Sequence, residues 1–277
     1  MSTPRTLDLP GGVHLVTIST PRGELAGQEA VPEGDVRGHV LLVPGFTGSK
    51  EDFTPVLPLL AAAGWHATAY DQRGQWESPG SDDADYDLEG FAADALAVRT
   101  VASRDRPTSH LVGHSFGGLV AQAAVVADPS VWSGLTLLCS GPGAFTGADK
   151  LDPLASFVRA VPELGLERLF EVRQAAAAPV TDEIRAFLRA RFTGNDPRSL
   201  ATIAEHLRSA PDRVADVAAT GVPVHVVRGA DDDAWPHDVQ ADMASRYGTS
   251  VQVVPGSAHS PAVENPPAAA QALLDTF

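Results

Sequence analysis

The stretch Gly113-His114-Ser115-Phe116-Gly117-Gly118 decides the fold, because it joins an apolar strand pattern to a helical pattern. A sharp turn at this junction would hold Ser115 in a strained backbone conformation and expose its hydroxyl group. Gly113 and Gly117 leave room for such a turn, since side chains at these positions would collide across it. The helix that follows directs free N–H groups and the positive end of its dipole at the same spot. This pattern predicts a nucleophilic serine at a strand-to-helix turn.

On both sides of this turn, short apolar runs typical of strands alternate with amphipathic helical stretches. The first two runs, residues 13–19 and 24–31, are separated by Thr20-Pro21-Arg22-Gly23 and predict an opening hairpin. Further strands are expected at residues 39–43, 65–70, 110–113, 134–139, 224–227 and 251–254. The alternation predicts an α/β fold, with a mostly parallel twisted sheet flanked by helices.

The alternation stops between residues 141 and 220, where we find only helical patterns. An irregular loop of this length would be unusual in a compact domain. Gly221 and Pro223 mark the return to strand. We therefore predict an α/β core formed by residues 1–140 and 221–277, with residues 141–220 inserted as a helical cap, or lid. Four apolar residues of the cap are expected to supply an apolar roof: Phe145, Leu154, Phe157 and Leu164. Such residues more often form the core of a cap than contact substrate, so we assign none of them as a substrate contact.

The composition of the 277 residues excludes several classes of protein. A hydrophobic fraction of 44% is typical of a globular chain rather than a disordered one. The single cysteine, Cys139, excludes an intramolecular disulfide. The sequence has no cluster of cysteines and histidines with the spacing of a structural zinc site. We therefore expect neither a metal nor a cofactor. A net charge of −15 disfavours binding to nucleic acid or anionic lipid. Without an apolar signal segment or a membrane-length run, we expect a cytoplasmic protein of unknown oligomeric state.

The turn around Ser115 resembles the nucleophile elbow of the α/β-hydrolase superfamily, whose chain order is serine, then acid, then histidine. Of the nine histidines, His259 lies in a loop directly after the last predicted strand and before the final helix. This loop, which continues into Glu264-Asn265-Pro266, resembles the family's histidine loop. The resemblance implies that Ser115 is the nucleophile and that His259 is its base.

The acid of this family lies after the penultimate strand, where the chain has Asp231-Asp232-Asp233. Three consecutive aspartates leave the choice open. The family's Gly-x-x-Asp…Pro pattern selects Asp232, which follows Gly229 by three positions and precedes Pro236 by four. Asp231 remains the alternative. A carboxylate here would orient the histidine and stabilise its protonated form.

An acyl-transfer mechanism also needs two N–H donors for the oxyanion of the tetrahedral intermediate. The backbone N–H of Phe116, directly after the nucleophile, is one candidate. By resemblance, the other is the N–H of Phe46 in the loop Pro44-Gly45-Phe46-Thr47-Gly48-Ser49, although the family often has histidine where Pro44 stands.

A fourth stretch, Asp71-Gln72-Arg73-Gly74-Gln75-Trp76-Glu77-Ser78, resembles the family's Asp-x-Arg-Gly-x-Gly-x-Ser loop. The resemblance implies that Arg73 supports the oxyanion loop. Trp76 replaces the second glycine, and two interpretations stay open: it projects toward the pocket, or it lies on the surface.

Taken together, the motifs resemble the serine esterases and lipases of the superfamily. They imply hydrolysis of a carboxylic ester, or a related acyl bond, of a small and largely apolar substrate through an acyl-enzyme on Ser115. A serine nucleophile argues against the haloalkane dehalogenases and epoxide hydrolases of this fold, which use aspartate. Two alternatives remain: a lyase, cyclase, acyl transferase, carbon–carbon hydrolase or haloperoxidase that uses the same triad, and a catalytically silent ligand-binding protein.

Overall fold

Eight strands form one sheet in the computed structural model, which describes residues 2–80, 86–104, 106, 108–175 and 178–277. In chain order these strands are β1 Val13–Thr20, β2 Gly23–Ala30, β3 Gly38–Val43, β4 Trp65–Tyr70, β5 Ser109–His114, β6 Trp132–Leu138, β7 Val224–Gly229 and β8 Val251–Val254. They are arranged in the order β1-β2-β4-β3-β5-β6-β7-β8. The first two form an antiparallel hairpin, β2 pairs antiparallel with β4, and all later pairs are parallel.

Helices cover both faces of this sheet. They are α1 Leu57–Ala62, α2 Leu88–Ala102, α3 Phe116–Ala127, α4 Ala148–Ala175, α5 Asp182–Thr193, α6 Pro197–Ser209, α7 Val214–Ala219, α8 His237–Arg246, α9 Pro261–Glu264 and α10 Pro266–Leu274. Within the described part of the chain, none of these helices is long and apolar enough to cross a bilayer. The expected mostly parallel sheet flanked by helices is confirmed.

The central strands are apolar at almost every position because both of their faces are covered. Along β3, Leu41 and Val43 belong to one buried apolar cluster together with residues of α2 and α3. Their neighbours Val40 and Leu42 belong to a second cluster, which includes residues of α1 and α10. The period of two along a strand places alternate side chains on opposite faces. Two apolar layers therefore hold the sheet rigidly between the helices, and the loops at its carboxyl edge are anchored at both ends.

The chain between β6 and β7 contains helices α4 to α7 and no strand among its described residues. Helix α4 is interrupted at Gly165, which has φ 70° and ψ 164°, three positions after Pro162. A third apolar cluster lies apart from the two sheet layers, and it consists of Val161, Leu166, Leu169, Phe170, Ile184, Leu188, Phe192 and Leu200. A cap needs a core of its own, so this cluster is consistent with the expected insertion. The division at residues 141 and 220 stays a prediction.

Candidate active site

Ser115 lies at the turn between β5 and α3, with φ 55° and ψ −122°. A positive φ is rare for a residue other than glycine and carries a cost in free energy. Two hydrogen bonds stabilise the conformation: the Ser115 N–H donates to the carbonyl oxygen of Leu138 at 2.9 Å, and the Ser140 hydroxyl donates to the Ser115 carbonyl at 2.8 Å. The turn therefore holds the serine at the carboxyl edge of the sheet by contacts with the end of β6.

The glycines on either side of Ser115 are required by close backbone contacts. A β carbon at Gly113 would lie 2.4 Å from the carbonyl oxygen of Gly117. One at Gly117 would lie 2.2 Å from the carbonyl oxygen of Val43, at the end of β3. Gly45 approaches from the same side, since a β carbon there would lie 2.9 Å from the β carbon of Ser115. No side chain fits at these distances, so the steric argument from the sequence holds at both predicted glycines.

The structure brings the predicted serine, histidine and aspartate together, although they are far apart in the chain. The Nε2 atom of His259 lies 3.0 Å from the Oγ atom of Ser115. The Nδ1 atom of the same ring lies 2.8 Å from the Oδ1 atom of Asp232. Of the two candidate acids, Asp232 is 3% exposed and contacts His259, whereas Asp231 is exposed. The three side chains form a continuous hydrogen-bonded chain from carboxylate to hydroxyl.

The environment of Asp232 favours its ionised form. Burial opposes ionisation, but hydrogen bonds from His259, from the Gln240 side chain at 2.9 Å and from the Ala234 N–H at 3.1 Å outweigh it and lower the pKa of Asp232 to about 2. An ionised carboxylate can only accept a hydrogen bond, so the Nδ1 atom of His259 carries the ring proton and donates the hydrogen bond to Asp232. The Nε2 atom is then left free to accept the hydroxyl proton of Ser115.

The loop that carries Phe46 is held by side chains of the 71–78 stretch. The Gln72 amide donates to the carbonyl oxygen of Pro44 at 2.8 Å, and the Thr47 N–H donates to the Gln75 side-chain oxygen at 3.1 Å. Among the described residues, no protein group accepts a hydrogen bond from the backbone N–H of Phe46 or Phe116. The role of both N–H groups as oxyanion donors stays a prediction.

Among the described residues, the Arg73 side chain makes no hydrogen bond to the oxyanion loop. Its guanidinium forms two hydrogen bonds with Asp94 on α2, of 2.8 and 2.7 Å, and the contacts to the loop come from Gln72 and Gln75 of the same stretch. The Asp94 carboxylate stands 21 residues further along the chain, so the motif alone could not reveal this partner. Trp76 lies half-buried, with its ring 5.8 Å from that of Phe187 on α5. It therefore packs against the helical segment rather than standing free on the surface.

Ser115 and His259 line a cavity of about 490 Å³. The wall has an apolar part formed by Phe46, Phe145, Leu154 and Leu207. It also carries four charged side chains, which the expected apolar roof did not include: Asp52, Lys150, Arg173 and Asp233. Two residues expected for the roof, Leu164 and Phe157, are not part of this wall. Leu164 is 49% exposed, and the ring of Phe157 lies 5.4 Å from that of Phe46.

His114 is a residue of the site that the sequence did not reveal. Its Nε2–H group donates to the carbonyl oxygen of His259 at 2.6 Å, and the two rings lie 5.0 Å apart. Burial lowers the pKa of His114 to about 4, so the ring is neutral near pH 7. Because it is adjacent to Ser115, the sequence suggested only that it packs beside the turn. The contact depends on the fold of the histidine loop, 145 residues away.

One group of side chains in the described residues could hold a metal ion: His114, Cys139 and His259, whose ligand atoms lie within 4.8 Å of one another. As arranged, both histidines use ring nitrogens in the hydrogen bonds described above. Burial also raises the pKa of the Cys139 thiol well above its ordinary value, which disfavours the thiolate that a metal requires. The positions of these three side chains fit the hydrogen bonds among Ser115, His259 and Asp232 better than they fit a metal site. The expectation of a metal-free site stays a prediction.

Comparisons with known proteins show which family the chain resembles. A family model described as "Alpha/beta hydrolase family" matches residues 40–272. A monoacylglycerol lipase of Mycolicibacterium smegmatis is 29% identical over 242 residues, which cover 82% of this chain and 83% of the lipase. A protein of Variovorax paradoxus named "Putative carbamate hydrolase RutD" is 37% identical over 99 residues, and this match spans only 36% of each chain. The solved structure of a bromoperoxidase from Bacillus anthracis, 17% identical, superposes with a TM-score of 0.77 over 95% of this chain and 99% of its own.

Proposed function

Because the chain belongs to the alpha/beta hydrolase family, we propose that it is a serine hydrolase that cleaves a carboxylic ester, or a related acyl bond, of a small molecule. One observation carries this proposal: Ser115, His259 and Asp232 form an unbroken hydrogen-bonded chain, of 3.0 and 2.8 Å, at the wall of a cavity. A serine hydroxyl becomes a useful nucleophile when an oriented imidazole removes its proton.

The reaction begins with attack of the Ser115 Oγ atom on the acyl carbon, while the Nε2 atom of His259 accepts the hydroxyl proton. Negative charge then develops on the former carbonyl oxygen. The N–H groups of Phe46 and Phe116 are the proposed donors to this oxygen, and each such donor is worth about 3–4 kcal/mol in other serine hydrolases. When the intermediate collapses, the Nε2–H group delivers its proton to the departing alcohol, and the acyl group remains on Ser115.

Water completes the cycle by the same steps. The Nε2 atom of His259 removes a proton from the water as it attacks the acyl-enzyme, and the proton then returns to the Ser115 oxygen as the acid leaves. Asp232 stays ionised throughout and stabilises the imidazolium in both half-reactions, consistent with its lowered pKa. His114 holds the backbone of His259 and contacts no reacting atom, so it is a positioning residue.

The helices between β6 and β7 are the proposed cap of this active site. Leu154 of α4 and Leu207 of α6 line the cavity together with Phe145, which precedes α4. These three side chains contribute apolar surface to the cavity that Ser115 lines, as expected for a cap that shapes a substrate pocket. The names of the two relatives above, a monoacylglycerol lipase and a "Putative carbamate hydrolase", both denote hydrolysis of an acyl bond. This supports hydrolysis as the reaction class.

The experiment that tests the proposal combines a fluorophosphonate probe with short-chain p-nitrophenyl esters, for the wild type and for Ser115→Ala. Labelling together with ester turnover, both abolished in the variant, supports the serine hydrolase. Labelling without turnover of any ester favours a lyase, cyclase or transferase that uses the same triad, and contradicts ester hydrolysis. A folded wild type that is neither labelled nor active contradicts enzymatic use of Ser115 and favours a binding role.

A further inference from the structure

Arg173 is the charged group of the cavity wall that the proposed reaction does not use. It lies in the second half of α4, beyond the interruption at Gly165, and its side chain lines the same cavity as Ser115 and His259. The side chain is exposed to solvent and also lines the cavity, and desolvation by the surrounding protein lowers the pKa of the guanidinium below its usual value. A cation is thus directed at the space that a substrate would fill.

The other charges around the cavity are paired. Asp52 accepts a 2.8 Å hydrogen bond from the buried guanidinium of Arg191, and Lys150 lies 3.6 Å from Asp233. In the part of the chain that the structure describes, Arg173 has no carboxylate partner. It therefore leaves one uncompensated positive charge in the cavity, although the whole chain has a net charge of −15.

An aromatic platform holds this guanidinium in place. Its central carbon lies 5.6 Å from the ring centroid of Phe192, a fully buried residue of α5. That ring contacts Phe157 at 6.5 Å between centroids, and Phe157 in turn contacts Phe46 of the oxyanion loop at 5.4 Å. A cation stacked on an aromatic face is oriented but keeps its N–H groups free for an anion. The aromatic contacts thus connect the guanidinium to the loop that carries a proposed oxyanion donor.

We propose that the cavity takes a substrate with a carboxylate group besides its scissile ester, and that Arg173 binds this carboxylate. The inference rests on the proposed function, because the ester is the bond that Ser115 would attack. A planar guanidinium matches a carboxylate in two parallel hydrogen bonds, which gives both affinity and orientation. Monoesters of dicarboxylic acids combine the two groups, and a cavity of about 490 Å³ is within the range of small-molecule sites.

The test uses ester pairs that differ only in a terminal carboxylate: monoethyl adipate against ethyl hexanoate, and monoethyl suberate against ethyl octanoate. Removal of the guanidinium in Arg173→Gln is expected to lower kcat/KM for at least one of the monoesters roughly 10- to 100-fold, chiefly by raising KM, because a charge-assisted hydrogen bond is lost. The neutral esters should change by less than about twofold, because they place no anion at this position.

A matched control is Arg168→Gln on the same helix. Arg168 is 64% exposed and pairs with Glu171 instead of lining the cavity, so this variant removes the same charge without touching the site. It should leave all four esters unchanged. An equal loss on charged and neutral esters in Arg173→Gln, or no loss on any ester that the wild type cleaves, would overturn the proposal.

Binding separates this inference from the proposed function. Calorimetric titration of adipate and suberate into Ser115→Ala, with and without Arg173→Gln, measures the carboxylate site without any hydrolysis. Binding that is lost with the guanidinium supports the site even if no ester is cleaved, in which case only the proposed reaction fails. Binding that survives Arg173→Gln, or absence of binding while the wild type prefers neutral esters, contradicts a carboxylate site at Arg173.

Discussion

The Nε2–H group of His114 donates a 2.6 Å hydrogen bond to the carbonyl oxygen of His259. The residue next to the proposed nucleophile therefore holds the backbone of the residue proposed as its base. His259 is thus bonded to both neighbouring residues, since its Nε2 atom also lies 3.0 Å from the Oγ atom of Ser115. Neutral His114 can make the bond without competing for the proton that His259 transfers, because burial lowers its pKa to about 4.

Loss of this bond should slow catalysis without unfolding the protein. We expect His114→Ala to lower kcat for ester hydrolysis roughly 10- to 100-fold, since small displacements of catalytic groups have effects of this size. The side chain of His114→Gln can still donate an N–H group, so this variant should recover part of the rate. Ester kinetics and thermal unfolding of both variants check the prediction. Equal activity of His114→Ala and wild type would show that the bond is irrelevant to the reaction.

The two neighbouring aspartates should differ sharply in their effect on activity. Asp232→Asn keeps the shape of the buried side chain but removes the charge that fixes the proton on Nδ1 of His259, so kcat should fall by about 10⁴. Asp231 is exposed, and Asp231→Asn should change kcat by less than about twofold. Steady-state ester kinetics at pH 7 compare the two variants. If Asp231→Asn is the more damaged of the pair, the assignment of the acid is wrong.

Buried histidines should make the protein less stable in weak acid. Burial lowers the pKa of His110 to about 3 and that of His114 to about 4, and it lowers the pKa of His39 as well. As the pH falls below the ordinary histidine value near 6.5, the unfolded chain binds protons that the folded chain does not. The contribution of these histidines to the free energy of unfolding therefore decreases on acidification, by at most about 1.4 kcal/mol per pH unit for each histidine. Burial raises the pKa of Asp71 to about 7, and this carboxyl group contributes in the opposite direction.

This decrease is measured best as a difference between variants. Urea unfolding at pH 7.5 and at pH 5.5 should show a smaller loss of stability for His110→Gln than for the wild type, because one of these histidines is absent. A variant whose loss of stability between pH 7.5 and pH 5.5 equals that of the wild type would contradict the role of the buried imidazole.

The glycines of the turn offer a steric test. Gly113→Ala would place a β carbon 2.4 Å from a backbone oxygen, and neither group can move without disturbing the sheet. We expect a loss of about 3 kcal/mol or more in the free energy of unfolding, or failure to fold. Gly11→Ala is the matched control, since no atom lies within 4 Å of its β carbon position. Urea unfolding compares both variants, and similar small losses would refute the close contact.

The parts of the site that could be predicted from the sequence are those set by local strand-to-loop geometry. Ser115 follows a buried strand and precedes a helix, and His259 follows the last strand, so the parallel sheet brings both to one edge. Asp232 and Asp231 share this placement. The spacing from Gly229 and Pro236, by its resemblance to the family, favours Asp232. The tertiary packing adds a physical difference that the sequence does not show, since the Gln240 side chain of α8 donates to the Asp232 carboxylate.

The features that could not be predicted depend on contacts between distant elements. Arg73 pairs with Asp94 because α2 packs beside the loop, and His114 meets the carbonyl of His259 because the histidine loop folds back over β5. The charge of the cavity wall depends on how α4 packs against α5 and α6, which places Arg173 in the wall of the cavity that Ser115 also lines. The composition of the cap predicts an apolar roof. The position of the Arg173 guanidinium, which only the fold determines, changes the proposed substrate from a largely apolar ester to one that carries a carboxylate.

The acyl-enzyme itself is the most direct test of the central claim. Wild-type protein mixed with a p-nitrophenyl ester, quenched in acid within milliseconds and digested, should yield one peptide that carries the acyl mass, with the acyl group on Ser115. The same measurement on Ser115→Ala should show no acylated peptide. Ester turnover that leaves Ser115 unmodified in the wild type, or that continues in the variant at the wild-type rate, would contradict the account.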